Sequence, residues 1–348
     1  MNTKEHYRYK RHTSLPQIGK EGQLKFRAAK VLVIGAGGLG CPVLQYLTAA
    51  GVGQLGIVDF DVVDESNLQR QILYTTADIG KSKAFCSASR LHQLNPFIEF
   101  KAIDEMLTET NALDLLSKYD LVVDGSDNFR TRYLVNDACV ILKKPLVFGS
   151  IYQFEGQVTV FNYLDGPTYR CLYPEPNNLG SCEEAGVLGV LPGTIGCLMA
   201  TEVLKIISGV GDVLSGKLLL YDALKSSFQT FVFNTVEENK LLKEILPFVE
   251  VCEAVPEITA QELKKKLTSC SPIKLIDVRE EAEYSIKNLG GELIPLGTLL
   301  NNLKRIPRNI PVVVHCKSGA RSRKAVQLLL EKGYRNVTNL MGGIDGYV

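Results

Sequence analysis

The stretch VLVIGAGGLGCPVLQYLTAAG (31–51) decides the fold. Val31 to Ile34 form a short apolar, β-rich run that reads as a buried strand. Gly35, Gly37 and Gly40, with Gly38 between them, make a G-x-G-x-x-G turn, after which CPVLQYLTAAG carries apolar residues at helical spacing. Strand, glycine turn and helix in that order aim backbone N–H groups and the positive end of a helix dipole at one point, where a phosphate can sit. Asp59 lies 24 positions after Gly35, at the end of the next apolar run LGIVDF (55–60). That is the usual place for an acid that binds ribose hydroxyls.

Outward from this unit, LVVDGSD (121–127) and PLVFGS (145–150) are further apolar runs, separated by helix-like stretches near 81–94, 109–118 and 128–142. The alternation predicts an α/β domain, a Rossmann-like, mostly parallel sheet with helices on both faces. EGQVTVF (155–161), KLLLYD (217–222) and SFQTFVF (227–233) predict an antiparallel extension, with a long apolar helix near 194–208. CLYPEPNNLGSCEEAG (171–186) has no period and reads as a long mobile loop. Around 238–258 the chain reads as a linker with a short helix. A second alternation follows: ITAQELKKKL as helix, KLIDVR as strand, TLLNNLKRI as helix, PVVVHC as strand and SRKAVQLLLEKGY as helix. The expected division is a first domain over 1–240, a linker over 241–257 and a smaller α/β domain over 258–348.

Composition agrees with that division. A length of 348 residues favours two or three domains, and 45% hydrophobic with 22% charged residues excludes disorder. The uncharged stretch Ala185–Thr201 holds four glycines and a proline, too short and too broken for a membrane span. The charged start MNTKEHYRYKRH lacks the apolar core of a secretory signal, so a cytoplasmic protein is expected. Nine widely spread cysteines, an odd number, point to reduced thiols rather than a disulfide framework. Residues 256–348 carry a net charge of +6 and the remainder −5. Since the basic part surrounds one cysteine and has few aromatics, it suits a local anionic intermediate better than nucleic acid.

The glycine turn alone would suit a nicotinamide dehydrogenase, which binds a diphosphate on backbone amides. DFDVVDESNLQRQ (59–71) instead places Asn67 and Arg70 one helical turn apart, and Lys83 follows thirteen residues later. Converging cations suit a triphosphate. GGLGCP, DFDxVxxSNLQRQ, VDGSDNFRTRYLVND and GQVTVF closely resemble the adenylyltransferases that activate ubiquitin-like sulfur carriers, among them the molybdopterin-synthase and thiazole-biosynthesis activating enzymes. The resemblance covers about residues 5–237. It implies ATP as substrate, with Asp59 on the ribose, Asn67, Arg70 and Lys83 on the phosphates, and Asp127, beside Asn128, holding Mg²⁺. It also implies a homodimer in which Arg11 reaches the nucleotide site of the other subunit. The chemistry fits these roles. A carboxylate attacking the α-phosphorus of ATP is already ionised and needs no base, so the barrier is charge repulsion, which cations and Mg²⁺ relieve.

Many members of that family hold a structural zinc with two C-x-x-C pairs. Here Thr168 and Val249 stand where two of the cysteines belong, leaving Cys171 and Cys252. Two thiolates cannot close such a site, so no zinc is expected. Cys182, on the loop, matches the cysteine that bonds covalently with the carrier in related enzymes. An exposed loop thiol without a role is the alternative, and Glu183 and Glu184 would raise its pKa.

Cys316 ends an apolar strand and opens CKSGARS before a helix, with Lys317 and Arg321 close in sequence. Backbone N–H groups around a sulfur at a helix start stabilise a thiolate or persulfide. With KLIDVREEAEY upstream, the last 90 or so residues resemble a rhodanese domain. Cysteine phosphatases also open their loop with HC, but they need Arg where this chain has Ser322. Asn288 stands where rhodaneses often carry His. Together these features imply adenylation of the C-terminal glycine of a Gly-Gly-ending carrier, followed by sulfur transfer from a Cys316 persulfide to give a thiocarboxylate. The sulfur itself would come from a persulfide donor such as a cysteine desulfurase. The carrier expected first is the small subunit of molybdopterin synthase, with thiazole or tRNA-thiolation carriers as alternatives. A dehydrogenase and a non-catalytic scaffold are the readings from other classes.

Overall fold

The computed structural model describes residues 3–174, 186–248, 255–268 and 272–347. It packs as two units, Met1–Val249 and Glu250–Val348.

The first unit is built on an eight-stranded sheet. Its strands are β1 (Lys30–Ile34), β2 (Gln54–Val58), β3 (Glu99–Ile103), β4 (Leu121–Asp124), β5 (Leu146–Tyr152), β6 (Glu155–Phe161), β7 (Lys217–Asp222) and β8 (Ser227–Val232). They lie in the order β3-β2-β1-β4-β5-β6-β7-β8. The first five are parallel, and β5 to β8 continue as antiparallel neighbours. The two faces of β1 explain the layering. Val31 and Val33 join Leu44, Leu47 and Leu55 in one core, while Leu32 and Ile34 join Leu116, Val122 and Tyr133 in the other. Helices therefore cover both faces, each buried Val or Leu contributing about 1.5–3 kcal/mol. The apolar helix begins earlier than its periodicity suggested, at Leu191, because Pro192 is well suited to a first turn. It is long and apolar enough for a membrane span, yet it packs on helix Gly40–Ala50 and on β5 and β6 as part of the core. The edge strand β3 was not legible in advance, since its half-exposed residues give a weak pattern.

Register positions the site. Ile34 pairs with both Val58 and Asp124, so β1, β2 and β4 end level. Gly35, Asp59 and Gly125 consequently leave the sheet side by side, at the crevice where the strand order turns from β1 outward in both directions.

The second unit has an all-parallel sheet of β9 (Glu257–Ile258), β10 (Lys274–Asp277), β11 (Glu292–Leu293), β12 (Val312–His315) and β13 (Val337–Leu340), in the order β11-β10-β12-β13-β9. Helices Ala260–Thr268, Glu281–Ile286 and Ala320–Glu331 accompany it. The α-helix expected over TLLNNLKRI is instead a 3₁₀ stretch, Leu296–Arg305, broken at Asn302. Pro295 and Pro307 bracket it, and Asn302 leaves helical backbone angles within it. The short helix expected in the linker is a 3₁₀ turn, Glu237–Lys240, and no further helix follows it up to residue 248.

Candidate active sites

A cleft of about 240 Å³ opens at the carboxyl ends of β1, β2 and β4. Gly35, Gly37, Gly38, Asp59, Arg70, Lys83, Asp127 and Asn128 all line it. Glycine is required at the turn itself. Gly35 has φ +87°, and a Cβ on Gly40 would overlap the Gly35 carbonyl oxygen. Arg70 lies over the turn, since a Cβ on Gly38 would stand 3.7 Å from its Cδ. Its Nη1 donates to the Ser66 carbonyl at 3.1 Å. Lys83 opens helix Lys83–Leu94 and is buried, with its ammonium 3.0 Å from Asp61 Oδ2. Asp59 accepts N–H bonds from Ala36 at 2.7 Å and Asp61 at 2.9 Å. Burial pushes its carboxyl up, an effect partly offset by the nearby Lys83 charge.

Two further sequence candidates lie elsewhere. Asn67 Oδ1 accepts the Asp64 N–H at 3.3 Å within a capping turn, and Asn67 is not part of the cleft wall. Arg11 is exposed on helix Lys10–Thr13, also outside the wall. Asn128 combines a place at the cleft with a local task, capping helix Phe129–Ile141 through the Thr131 N–H at 2.9 Å.

Several residues join the site only in three dimensions. Asp61 and Gln71 line the cleft, as do Ser126 and Arg132. Arg132 is 5% exposed and its guanidinium lies 5.4 Å from the ring centres of both Phe129 and Phe148, while Nη2 donates to the Ser126 carbonyl. Asp124 ends β4 fully buried, so desolvation raises its pKa against the lowering effect of Arg132. Its Oδ2, together with Ser126 Oγ, Arg132 Nε and Gln71 Oε1, finds no hydrogen-bond partner among the described residues. Three of these residues, Gln71, Ser126 and Arg132, also line the cleft, so unpaired buried polar atoms adjoin it. Asp124, Ser126 and Arg132 lie within the quoted motif VDGSDNFRTR, but their burial is not visible in one dimension. Cys41, just after the glycine turn, is inert by comparison, since burial pushes its thiol up to about 12.

The second unit presents Cys316 directly after β12, buried among core residues. Its Sγ accepts the Gly319 N–H at 3.2 Å and the Ser322 hydroxyl at 3.4 Å. The loop is tied to the following chain through Ile344 N–H to Cys316 O at 2.8 Å and Asp345 N–H to Lys317 O at 3.1 Å. Lys317 is exposed. The Arg321 guanidinium forks onto Glu283 at 2.6 and 2.7 Å. That pairing holds the Glu283 carboxyl down at about 2. Asn288 closes a turn, donating to Tyr284 O and accepting from Gly290 N–H.

Cys182 and Cys252, with Val249, Glu183 and Glu184, lie outside the described residues. Cys171 Sγ accepts N–H bonds from Thr168 and Val236, both at 3.3 Å. Among the described residues no three His, Cys, Asp or Glu side chains stand together as a metal site, and the cysteines are free thiols.

A phosphate-type cleft at the switch point of a parallel sheet, in one chain with a cysteine loop that cradles a sulfur, defines a nucleotide-dependent group-transfer enzyme with its own sulfur-handling domain. The chain belongs to the ThiF family, which matches residues 9–243, and residues 259–348 match the rhodanese-like domain. It is 43% identical over 366 residues to MoeZ of Mycobacterium tuberculosis, named a probable adenylyltransferase/sulfurtransferase, covering 99% of this chain and 93% of that one. It is 58% identical over 230 residues to the sulfur carrier protein adenylyltransferase of Thermus thermophilus, covering 64% and 85% respectively. In fold it resembles crystal structures of E. coli MccB. The complex with MccA-N7isoASN gives a TM-score of 0.58 at 20% identity, covering 68% of this chain and 73% of that one. The complex with ATP gives 0.55 at 21%, covering 62% and 66%. This chain is therefore an adenylyltransferase with a sulfurtransferase domain.

Proposed function

We propose that the protein adenylates the C-terminal glycine of a ubiquitin-like sulfur carrier ending in Gly-Gly and converts it to a thiocarboxylate with sulfur carried on Cys316. One observation carries this reading: a cleft that gathers Arg70, Lys83, Asp59 and Asp127 round a glycine turn stands in the same chain as the Cys316 loop. The sulfur-carrier name of the Thermus relative supports it. ATP enters as its Mg²⁺ complex, for which Asp127 offers an exposed carboxylate, a donor suited to a hard cation that keeps phosphate and water ligands. Arg70 and Lys83 offset the repulsion between the attacking carboxylate and the triphosphate, and pyrophosphate leaves. Lys83 exchanges part of its Asp61 pairing for phosphate as the nucleotide arrives.

The persulfide of Cys316, loaded by a donor such as a cysteine desulfurase, then displaces AMP from the acyl adenylate. A second thiol, which we assign to Cys182, attacks the resulting acyl disulfide, releasing the thiocarboxylate and leaving a disulfide between the two cysteines. We place the protein in the cytoplasm, as a homodimer with Arg11 at the neighbouring cleft, and the carrier as the molybdopterin-synthase small subunit. The resemblance of GGLGCP and DFDVVDESNLQRQ to the activating enzymes of ubiquitin-like sulfur carriers supports a carrier of this class, with the thiazole and tRNA-thiolation carriers as the alternatives.

ATP–pyrophosphate exchange with the purified protein, Mg²⁺ and the carrier tests the reading. Asp127→Ala should abolish exchange, whereas Cys316→Ala should preserve it and lose thiocarboxylate, read as a gain of about 16 Da on the carrier, the replacement of oxygen by sulfur. Wild-type exchange by Asp127→Ala, or normal thiocarboxylate formation by Cys316→Ala, would overturn it.

A further inference from the structure

The Cys316 loop brings a guanidinium to a sulfur site and then neutralises it. Arg321 lies in the first turn of helix Ala320–Glu331, five residues after Cys316, and its pKa is raised chiefly by its hydrogen bonds to Glu283, with the Cys316 charge a lesser influence. Its Nη1 and Nη2 each donate to one oxygen of Glu283, at 2.7 and 2.6 Å, in the fork geometry that gives Arg–carboxylate pairs their strength and direction. Glu283 is itself held in place. Its Oε2 accepts the Glu280 N–H at 3.2 Å, and its carbonyl accepts from Arg279, which is anchored in turn on buried Asp277. Both members of the pair are about one-third exposed, so the pair is reached from solvent rather than sealed in the core.

A free guanidinium there would attract any small anionic sulfur donor. A carboxylate that occupies its donor fork removes most of the attraction that Arg321 would exert. We propose that Glu283 is a specificity-determining residue of the sulfurtransferase domain, cancelling Arg321 so that Cys316 disfavours small dianionic donors and takes its sulfur from a persulfide. The proposal rests on the reading of Cys316 as the sulfur carrier. The two loading steps balance as follows. With thiosulfate, the Cys316 thiolate attacks the outer sulfur, the S–S bond of thiosulfate breaks, and sulfite leaves with the electron pair and both negative charges. With a protonated persulfide, the thiolate attacks the terminal sulfur, the donor thiolate leaves, and the proton stays on the new persulfide. Only the first step brings a dianion to the loop and releases another, so the first is the more sensitive to an uncancelled cation.

The test uses the full chain, with thiosulfate or cysteine persulfide as donor and cyanide as acceptor. Glu283→Gln keeps an oxygen for the Glu280 N–H and removes the charge. It should lower KM for thiosulfate about fivefold, the scale of a partly exposed charge interaction, and should change KM for cysteine persulfide less than about twofold. The gain should shrink as ionic strength rises. The double variant Glu283→Gln/Arg321→Gln, neutral at both positions, should return the ratio of the two KM values to that of the wild type. A purely structural role for Glu283 would lower kcat and thermal stability with both donors alike and leave that ratio fixed. An unchanged ratio in Glu283→Gln, or the same gain in the double variant, would overturn the proposal while leaving Cys316 as sulfur carrier. Should Glu283→Gln fail to fold, a wild-type KM for thiosulfate that rises steeply with salt would overturn it, because a cancelled cation leaves little for salt to screen, and a flat salt response would support it. No turnover by the wild type with either donor would overturn both readings.

Discussion

Replacing Gly343 by Ala should disable sulfur transfer while sparing adenylation, and the size of the effect follows from the geometry. Gly343 has φ +56°, and a Cβ there would stand 2.5 Å from both Cys316 O and Lys317 O. Those carbonyls accept the Ile344 and Asp345 N–H bonds that tie the Cys316 loop to the C-terminal turn. The left-handed backbone costs about 1 kcal/mol for an L side chain. Relieving the overlap costs the two hydrogen bonds, about 1 kcal/mol each. The total of about 3 kcal/mol corresponds to a fall of about 12 °C or more in the melting transition of a unit of this size. Gly290 is the matched control: its φ is +77°, but a Cβ there meets nothing within 4 Å. Gly290→Ala should therefore show the backbone cost alone, about 4–8 °C. Calorimetry of the full chain would follow the transition of the second unit, with cyanide-dependent sulfurtransfer and pyrophosphate exchange measured at 25 °C. Equal shifts in the two variants, or normal sulfurtransfer by Gly343→Ala, would refute the reasoning.

Three other outcomes are expected. Asp137 is fully buried and receives Arg170 Nε and Nη2, both at 2.8 Å, so Arg170→Ala should destabilise the first unit by about 3–5 kcal/mol in urea unfolding, while Asp137→Asn/Arg170→Met should cost much less. His315 is buried, neither ring nitrogen has a hydrogen-bond partner among the described residues, and desolvation lowers its pKa from 6.5. The unfolded ring thus binds a proton that the folded ring refuses, so the second unit should lose stability as pH falls below about 6.5, by up to about 1.4 kcal/mol per pH unit. Unfolding free energies between pH 7 and 5 would check this, a window above that of Glu283, and a flat profile would contradict it. Lys83→Met should suppress pyrophosphate exchange by at least about tenfold with little effect on sulfurtransfer, since only the first unit loses a cation.

Local requirements of the backbone were legible in one dimension. A turn that demands φ > 0 and tolerates no Cβ must be glycine, so Gly35 and Gly40 marked the phosphate cleft, and strand-end Asp59 followed from the length of one βα unit. The spacing of CKSGARS marked the sulfur loop for the same reason, since its N–H groups belong to consecutive residues. Side-chain partnership across the sheet was not legible. That Lys83 pairs with Asp61, and that Asp124 is buried while Arg132 lines the cleft, depend on the level endings of β1, β2 and β4, whereas the cap that occupies Asn67 is a local turn. Arg321 could be placed beside Cys316 from its position in the loop. Its partner Glu283 is 38 residues away, brought there by the helix that follows β10. Charge cancellation depends on distance and burial. The sequence by itself therefore determined which groups carry the chemistry, and only the packed tertiary structure decided which of their charges remain available to a substrate.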